Sequence, residues 1–231
     1  MRFQILKECL ALSLLIFGFS FAIFGQSSNL EIYAKKLRSG TIEEKREALY
    51  QLRNLSNEAA SRVAISGLSD ASEIVRATAT HSILSLPSEE SCTLLLPLLS
   101  EKLAFVRKET VYALGKTKNS RATEFLIKTL EKDKDLEVRG AAAFSLGLIG
   151  DEKSVESLIS ALNQKNLFVQ RSAARSLGQI RNVKSLILLE KKLLESKLDD
   201  DVRREILWAI AEIKILANFH SQHNETYSYK I

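Results

Sequence analysis

The sequence predicts an all-α solenoid, on three observations. A segment that usually starts on Val, continues with Arg and later carries Ala and Leu recurs six times, from Glu44, Val75, Val106, Val138, Val169 and Val202. The starts are separated by 31, 31, 32, 31 and 33 residues, the mark of one structural unit copied in tandem. Each copy also carries two apolar stripes at helical spacing with a cap-forming residue between them, so the unit is a pair of helices.

Positions are numbered from the Val site as zero. The first helix of the unit has small or apolar residues at +4 (Ala48, Ala79, Ala142, Ala173) and +8 (Leu52, Ile83, Leu114, Leu146, Leu177, Ile210), one stripe of a 3.6-residue period. Ala at +4 admits a close neighbour, and Gly115, Gly147 and Gly178 are expected to allow tight packing and to help end this helix. At +13 stand Asn57, Ser88, Asn119, Asp151 and Asn182, each able to accept from the free amides of a following helix. That second helix carries Leu95 and Leu99, Leu126 and Leu130, Leu158 and Leu162, or Leu189 and Leu193 at +20 and +24. Tyr33 and Leu37 hold those places before the first copy, so the array opens on a second-type helix and about six pairs fill residues 26–216. Pro97 falls within one such helix and predicts a kink, because it removes a backbone donor.

An acid precedes the arginine by six residues in three copies: Asp70 and Arg76, Glu101 and Arg107, Asp133 and Arg139. Where the arginine becomes Gln170 the acid becomes Gln164, so a carboxylate–guanidinium ladder across the turn is the simplest expectation. It reads as scaffold rather than catalysis.

The two ends of the chain differ from the array. Arg2 and Lys7 precede an uncharged apolar run from Cys9 to Phe24, which predicts a signal peptide over residues 1–25 and an exported, periplasmic or secreted, protein. Ser20, Phe21 and Ala22 offer a small-x-small cleavage site, and cleavage after Gly25 fits as well. The competing expectation is an uncleaved membrane anchor over residues 9–25, since 16 apolar residues fall just short of the usual span. Without the leader only Cys92 remains, in an apolar setting that marks it as a buried small hydrophobe. The polar stretch 217–231 is expected to lack structure, and His220 and His223 within it have no third metal ligand nearby. Charge is 33 basic against 28 acidic residues, a mild and interspersed excess that argues against a dedicated nucleic-acid binder.

The unit VRxxAAxxLGxxGD followed by a helix with LIxxL, with an acid six residues before the arginine, resembles the HEAT repeat, most closely its short form, the PBS-lyase HEAT-like repeat. The resemblance covers residues 28–216, strongest in the copies at 106, 138 and 169. The terminal copies depart from it: Glu44 replaces Val, and VRREILWAIAEI has Ile for Ala and Ala for Gly. The resemblance implies that the VR helix lines a concave face and that the protein is a binding scaffold. Some members of the family are phycobilin lyases, which work inside the cell, and others carry iron on His-Glu pairs. None of His81, His220 and His223 is followed by Glu, so no iron is expected.

If the VR helix faces inward, positions +2, +3, +6 and +10 point into the groove. The +6 column reads Tyr50, His81, Tyr112, Phe144, Arg175 and Trp208, four aromatics, one histidine and one arginine, and Tyr, Trp and Arg are the types that dominate binding hot spots. Arg46, Lys108, Arg171 and Arg204 at +2 add a cationic edge, which fits a partner with acidic groups. With no phosphate-binding glycine loop and no nucleophile constellation, the expectation is a non-enzymatic scaffold without cofactor that binds a protein or peptide. The alternatives are a lyase- or chaperone-like factor for a cofactor-bearing protein and, with less support, nucleic-acid binding through the +2 cations.

Overall fold

The computed structural model describes residues 29–228, and all regular structure among them is helical. The expected leader at residues 1–25 and the side chains of His220 and His223 lie outside the described residues. The chain forms two compact units, divided after Ile83. In the first, α1 (29–39) leads into α2 (Ile42–Leu55), α3 (Glu58–Ala64) and α4 (Glu73–Ser82). The second holds α5 (Ser88–Leu95), α6 (Ala104–Thr117), α7 (Thr123–Lys132), α8 (Leu136–Ile149), α9 (Val155–Ala161), α10 (Leu167–Ile180), α11 (Leu186–Leu193) and α12 (Asp200–Ser228). Even-numbered helices are the VR helices, and α6, α8, α10 and α12 pack side by side in sequence order.

The predicted stripe is the core. Every residue at +4 and +8 is buried, from Ala48 and Leu52 to Ile206 and Ile210. Close approach of neighbouring VR helices depends on two further columns. A Cβ on Gly178 would lie 2.7 Å from the Ala209 Cα of α12, and one on Gly115 would lie 2.6 Å from the Ser145 Cβ of α8. The opposing residue, at +7, is a serine in three copies, and it donates to a main-chain oxygen of the previous VR helix. Ser82 Oγ reaches Leu49 O at 3.0 Å, Ser145 Oγ reaches Val111 O at 2.9 Å, and Ser176 Oγ reaches Ala143 O at 2.8 Å. These glycines therefore lie inside the helix and do not end it. Termination falls three residues later, where Ser56, Lys118, Gly150 and Arg181 adopt left-handed backbone that turns the chain toward the next helix.

The +13 caps form as expected at four positions. Asn57 accepts from Ala60 N, Asn119 from Arg121 N, Asp151 from Lys153 N and Asn182 from Lys184 N. The exception is Ser88, which occupies the first position of α5 behind Pro87. The preceding α4 stops at Ser82, before the left-handed position, and the irregular turn that follows shifts the cap. A second cap column, at −3, carries Thr41, Asp135, Asn166 and Asp199, each accepting from the first turn of a VR helix. Pro97 lies in a 3-10 turn, Leu96–Ser100, that follows α5. The equivalent Ile65–Ser69 adopts the same turn without proline, so Pro97 fits a geometry it does not create.

The acid–arginine ladder is arranged differently from the expectation. The contact at six residues runs from guanidinium to main-chain carbonyl: Arg76 Nη1 donates to Asp70 O at 2.8 Å, and Arg107 Nη1 to Glu101 O at 2.9 Å. Arg139 Nε donates to Leu130 O at 2.7 Å and Arg203 Nη1 to Leu193 O at 3.1 Å. The +1 side chain thus satisfies carbonyls left open at the end of the preceding helix. Gln170 serves too, donating its amide to Gln164 O, which explains why Gln is tolerated there. Two of the carboxylates, Asp70 and Asp133, meet the +1 residue of the previous copy instead. Lys45 Nζ lies 2.6 Å from Asp70 Oδ2, and Asp133, the acid expected opposite Arg139, takes two 2.7 Å hydrogen bonds from Arg107.

Arg107 and Asp133 expose only 7% and 9% of their side chains, which makes theirs a buried pair. Burial works to raise the Asp133 pKa, but the Arg107 hydrogen bonds and the Asp135 amide outweigh it and hold the carboxyl below its usual range. Asp70 is lowered in the same way against the same opposing burial, by Lys45 and the Ser72 amide.

Residues 217–231 were expected to lack structure, but their backbone continues α12 through Ser228. Among the described residues no left-handed residue interrupts α12 near Lys214, where earlier VR helices end.

Three outcomes follow for stability. In an open helix Gly→Ala stabilises by about 1 kcal/mol. Gly178→Ala should instead lower the urea unfolding free energy by about 1–3 kcal/mol, because the added methyl meets Ala209 backbone. Arg107→Met should destabilise by about 3–5 kcal/mol by leaving Asp133 buried without its counter-charge, and Asp133→Asn in that background should recover part of the loss. Below about pH 4 the unfolded chain takes up protons that native Asp133 and Asp70 still refuse, so stability should fall as pH drops through their depressed native values. Acid titration of the melting temperature checks this, and Asp133→Asn should flatten the slope.

Candidate interaction surface

Packing of the VR helices leaves one face of each without neighbours in its own layer. On α10 the exposed positions are Leu167, Arg171, Arg175 and Gln179, a single stripe at i, i+4 spacing that includes +2, +6 and +10. The +6 column stands at the surface in every copy. Tyr50, Arg175 and Trp208 are exposed, and His81, Tyr112 and Phe144 are half-buried. Position +3 does not belong to this face in the middle of the second unit, where Ala141 and Ser172 are buried.

Within the second unit the +6 side chains meet in pairs. Tyr112 and Phe144 pack edge-to-face with centroids 5.9 Å apart and planes at 71°. The Arg175 guanidinium lies 5.6 Å from the Trp208 ring centroid, a cation–π contact between α10 and α12. Burial, with Glu137 and Glu109 nearby, pushes the Tyr112 pKa up, so its hydroxyl stays protonated as a hydrogen-bonding group. In the first unit Arg53 stacks 5.7 Å from the Tyr50 centroid on the same helix.

The expected cationic edge is electrostatically mixed. Arg171 pairs with Asp201 at 3.2 Å, Arg175 with Glu205 at 3.4 Å, and Lys108 reaches Glu137 at 4.0 Å, each carboxylate belonging to the next VR helix. Arg204 also pairs with Asp201. Arg46, in the first unit, is exposed on α2. The acids were legible at −1 and +3 beside the cations. Their pairing depends on the offset between adjacent helices, which the +2 column alone does not convey. In the second unit the row of positive charge therefore becomes inter-helix ion pairs around an aromatic stripe.

Among the described residues no group of three or more His, Cys, Asp or Glu side chains could hold a metal, and no helix is long and apolar enough to cross a membrane. Cys92 is buried and its thiol pKa is raised, chiefly by burial, which fits a core position.

A profile of HEAT repeats matches residues 61–142 and 123–211, a range that takes in most of both helix layers. The chain belongs to the HEAT-repeat family. As a HEAT-repeat protein it is similar over 57 residues, at 42% identity, to the bilin biosynthesis protein PecE of a Nostoc species. That match covers 25% of this chain and 22% of PecE, so the chain spans about a fifth of that relative's length. Among solved structures it resembles the CpcE–CpcF complex of phycocyanin lyase from Nostoc, with a TM-score of 0.54 at 22% identity over 65% of this chain and 98% of that one. An engineered protein matches with a TM-score of 0.59 at 24% identity over 80% and 96%. A designed armadillo repeat protein in complex with the peptide (KR)4 matches at 0.56, 20% identity, over 80% and 99%. At these identities the structural likenesses establish the helical-repeat fold.

Proposed function

We propose that this HEAT-repeat protein recognises another protein, and that the +6 stripe of α6, α8, α10 and α12 is its contact surface. One observation carries the reading: large aromatic side chains recur at +6, a column of the VR helices that is buried in no copy, while +4 and +8 are buried in every copy. Tyr112, Phe144 and Trp208 offer broad apolar contact at small entropic cost, and the ion pairs flanking them supply a polar rim. Because those cations already face carboxylates, the partner needs no excess of acidic groups. A row of peptide-binding repeats in the designed armadillo protein supports the same use of a helical stack.

A second reading is supported at least as well by the likenesses to PecE and to the phycocyanin lyase complex. Here the recognised protein is one that bears a bilin or similar cofactor, and the chain acts as a lyase or chaperone toward it. Both readings use protein recognition; they differ in whether chemistry follows it. Residues 1–25 support export and hence the scaffold reading, whereas a lyase would work inside the cell.

Capture from native extract separates wild type from a Tyr112/Phe144/Trp208→Ala variant. Loss of anchors of this kind weakens binding by about 30-fold each, so the variant should lose the specific partners. Equal recovery by both proteins removes the surface assignment. Co-expression with a phycocyanin apoprotein and a bilin tests the second reading: a covalent, absorbing adduct that depends on this chain establishes it, and its absence leaves the scaffold. Fractionation of a C-terminally tagged chain checks the compartment.

A further inference from the structure

The last helix pair departs from the others in two places that adjoin. In the second unit the +5 residues Val111, Ala143 and Ala174 are fully buried, and the serines of the following VR helix bond to Val111 O and Ala143 O. Position +5, with the small residue at +9, is therefore the seat on which the next VR helix rests. On α12 that seat is open: Leu207 at +5 is 51% exposed, and Ala211 at +9 and Ile215 beyond it are also exposed.

The second departure is on α11. Its outward columns, continued into the turns at either end, carry Val183, Ile187 and Leu194, all exposed, the last at 85%. In the copy before, the same columns hold Glu152, Glu156 and Asn163, and in the copy before that Ser120, Glu124 and Glu131. Ile187, Glu190 and Leu194 follow one helix stripe, and Glu190 bonds Lys214 of α12 at 2.8 Å, next to Ile215. The Glu190–Lys214 ion pair thus joins α11 and α12 where each carries exposed apolar residues, and the two stripes are taken together as one face. Exposed apolar surface of this kind on a helical-repeat end marks a docking site.

We propose that this face is covered by a second copy of the chain, in a twofold dimer with α11 and α12 of each protomer against those of the other. Head-to-tail stacking does not suit it. The +7 column that seats a VR helix on its predecessor is Ser or Ala in α8, α10 and α12, but on α2 it is Gln51, hydrogen-bonded to Glu47. Gln51 is longer than the Ser or Ala that this close seat admits, and it would hold α2 away from Leu207. The face is instead complementary to its own image. Apolar stripes meet apolar stripes, and a surface with one acid and one base can exchange Glu190 and Lys214 contacts across a twofold axis.

Sedimentation velocity of the purified chain from about 1 to 100 µM tests it, a range in which a standard-sized apolar interface is populated. The expected result is a dimer that Leu207→Glu weakens on the order of 100-fold, with unchanged helicity by circular dichroism. Glu190→Lys and Lys214→Glu should each weaken self-association, and mixing the two variants should restore a heterodimer. A wild type that stays monomeric overturns the proposal and leaves the face to a different chain. A dimer indifferent to Leu207→Glu, or variants that fail to pair on mixing, overturn it as well.

Discussion

The side chain one position after the Val site links three elements of the repeat. On Arg107 a single guanidinium donates to the carbonyls of Glu101 and Lys102 and to both oxygens of Asp133 in the next turn. The first contact closes the end of a second-layer helix, whose last carbonyls have no partner within the helix. The second ties one repeat to the next within the second unit. Because Val at the neighbouring position is buried in the core, the charged group starts from a fixed root and reaches the turn with little freedom left to lose. Where the chain substitutes Gln170, the capping contact survives and the charge pair does not, so capping is the more general of the two duties.

Around that anchor the two layers are built to different standards. In the second unit VR helices contact one another through Gly at +9 and Ser or Ala at +7, close enough that Gly178 has no room for a methyl. The second-layer helices are shorter and joined to them by 3-10 turns and left-handed residues. Tight packing of one side of each VR helix leaves its opposite side as a stripe that no neighbour in the layer can cover. The aromatics at +6 occupy that stripe, and their mutual contacts, such as Tyr112 with Phe144, hold them in place while leaving them accessible.

Much of this was legible in the residues because burial and helix period act column by column. The +4 and +8 stripes and the Asn, Asp and Asn caps at +13 need only local geometry, and they appear where the spacing puts them. Ser88 did not, because α4 stops early and Pro87 takes the position before α5. The serines at +7 form a visible column, yet their acceptors, Leu49 O, Val111 O and Ala143 O, are backbone atoms of another repeat. No side-chain pattern announces a main-chain acceptor.

What the sequence by itself determined is the all-helical tandem fold, the core columns and the surface standing of the +6 aromatics, since each follows from periodicity within one helix. Only the tertiary structure decided which carboxylate meets which cation. Asp133 sits six residues from Arg139 but pairs with Arg107, and Arg171 meets Asp201 from the next helix. The physical reason is that an acid near a turn can be reached from either neighbouring repeat. The choice rests on the offset between adjacent helices, which is set by how closely Gly and Ser let their backbones approach.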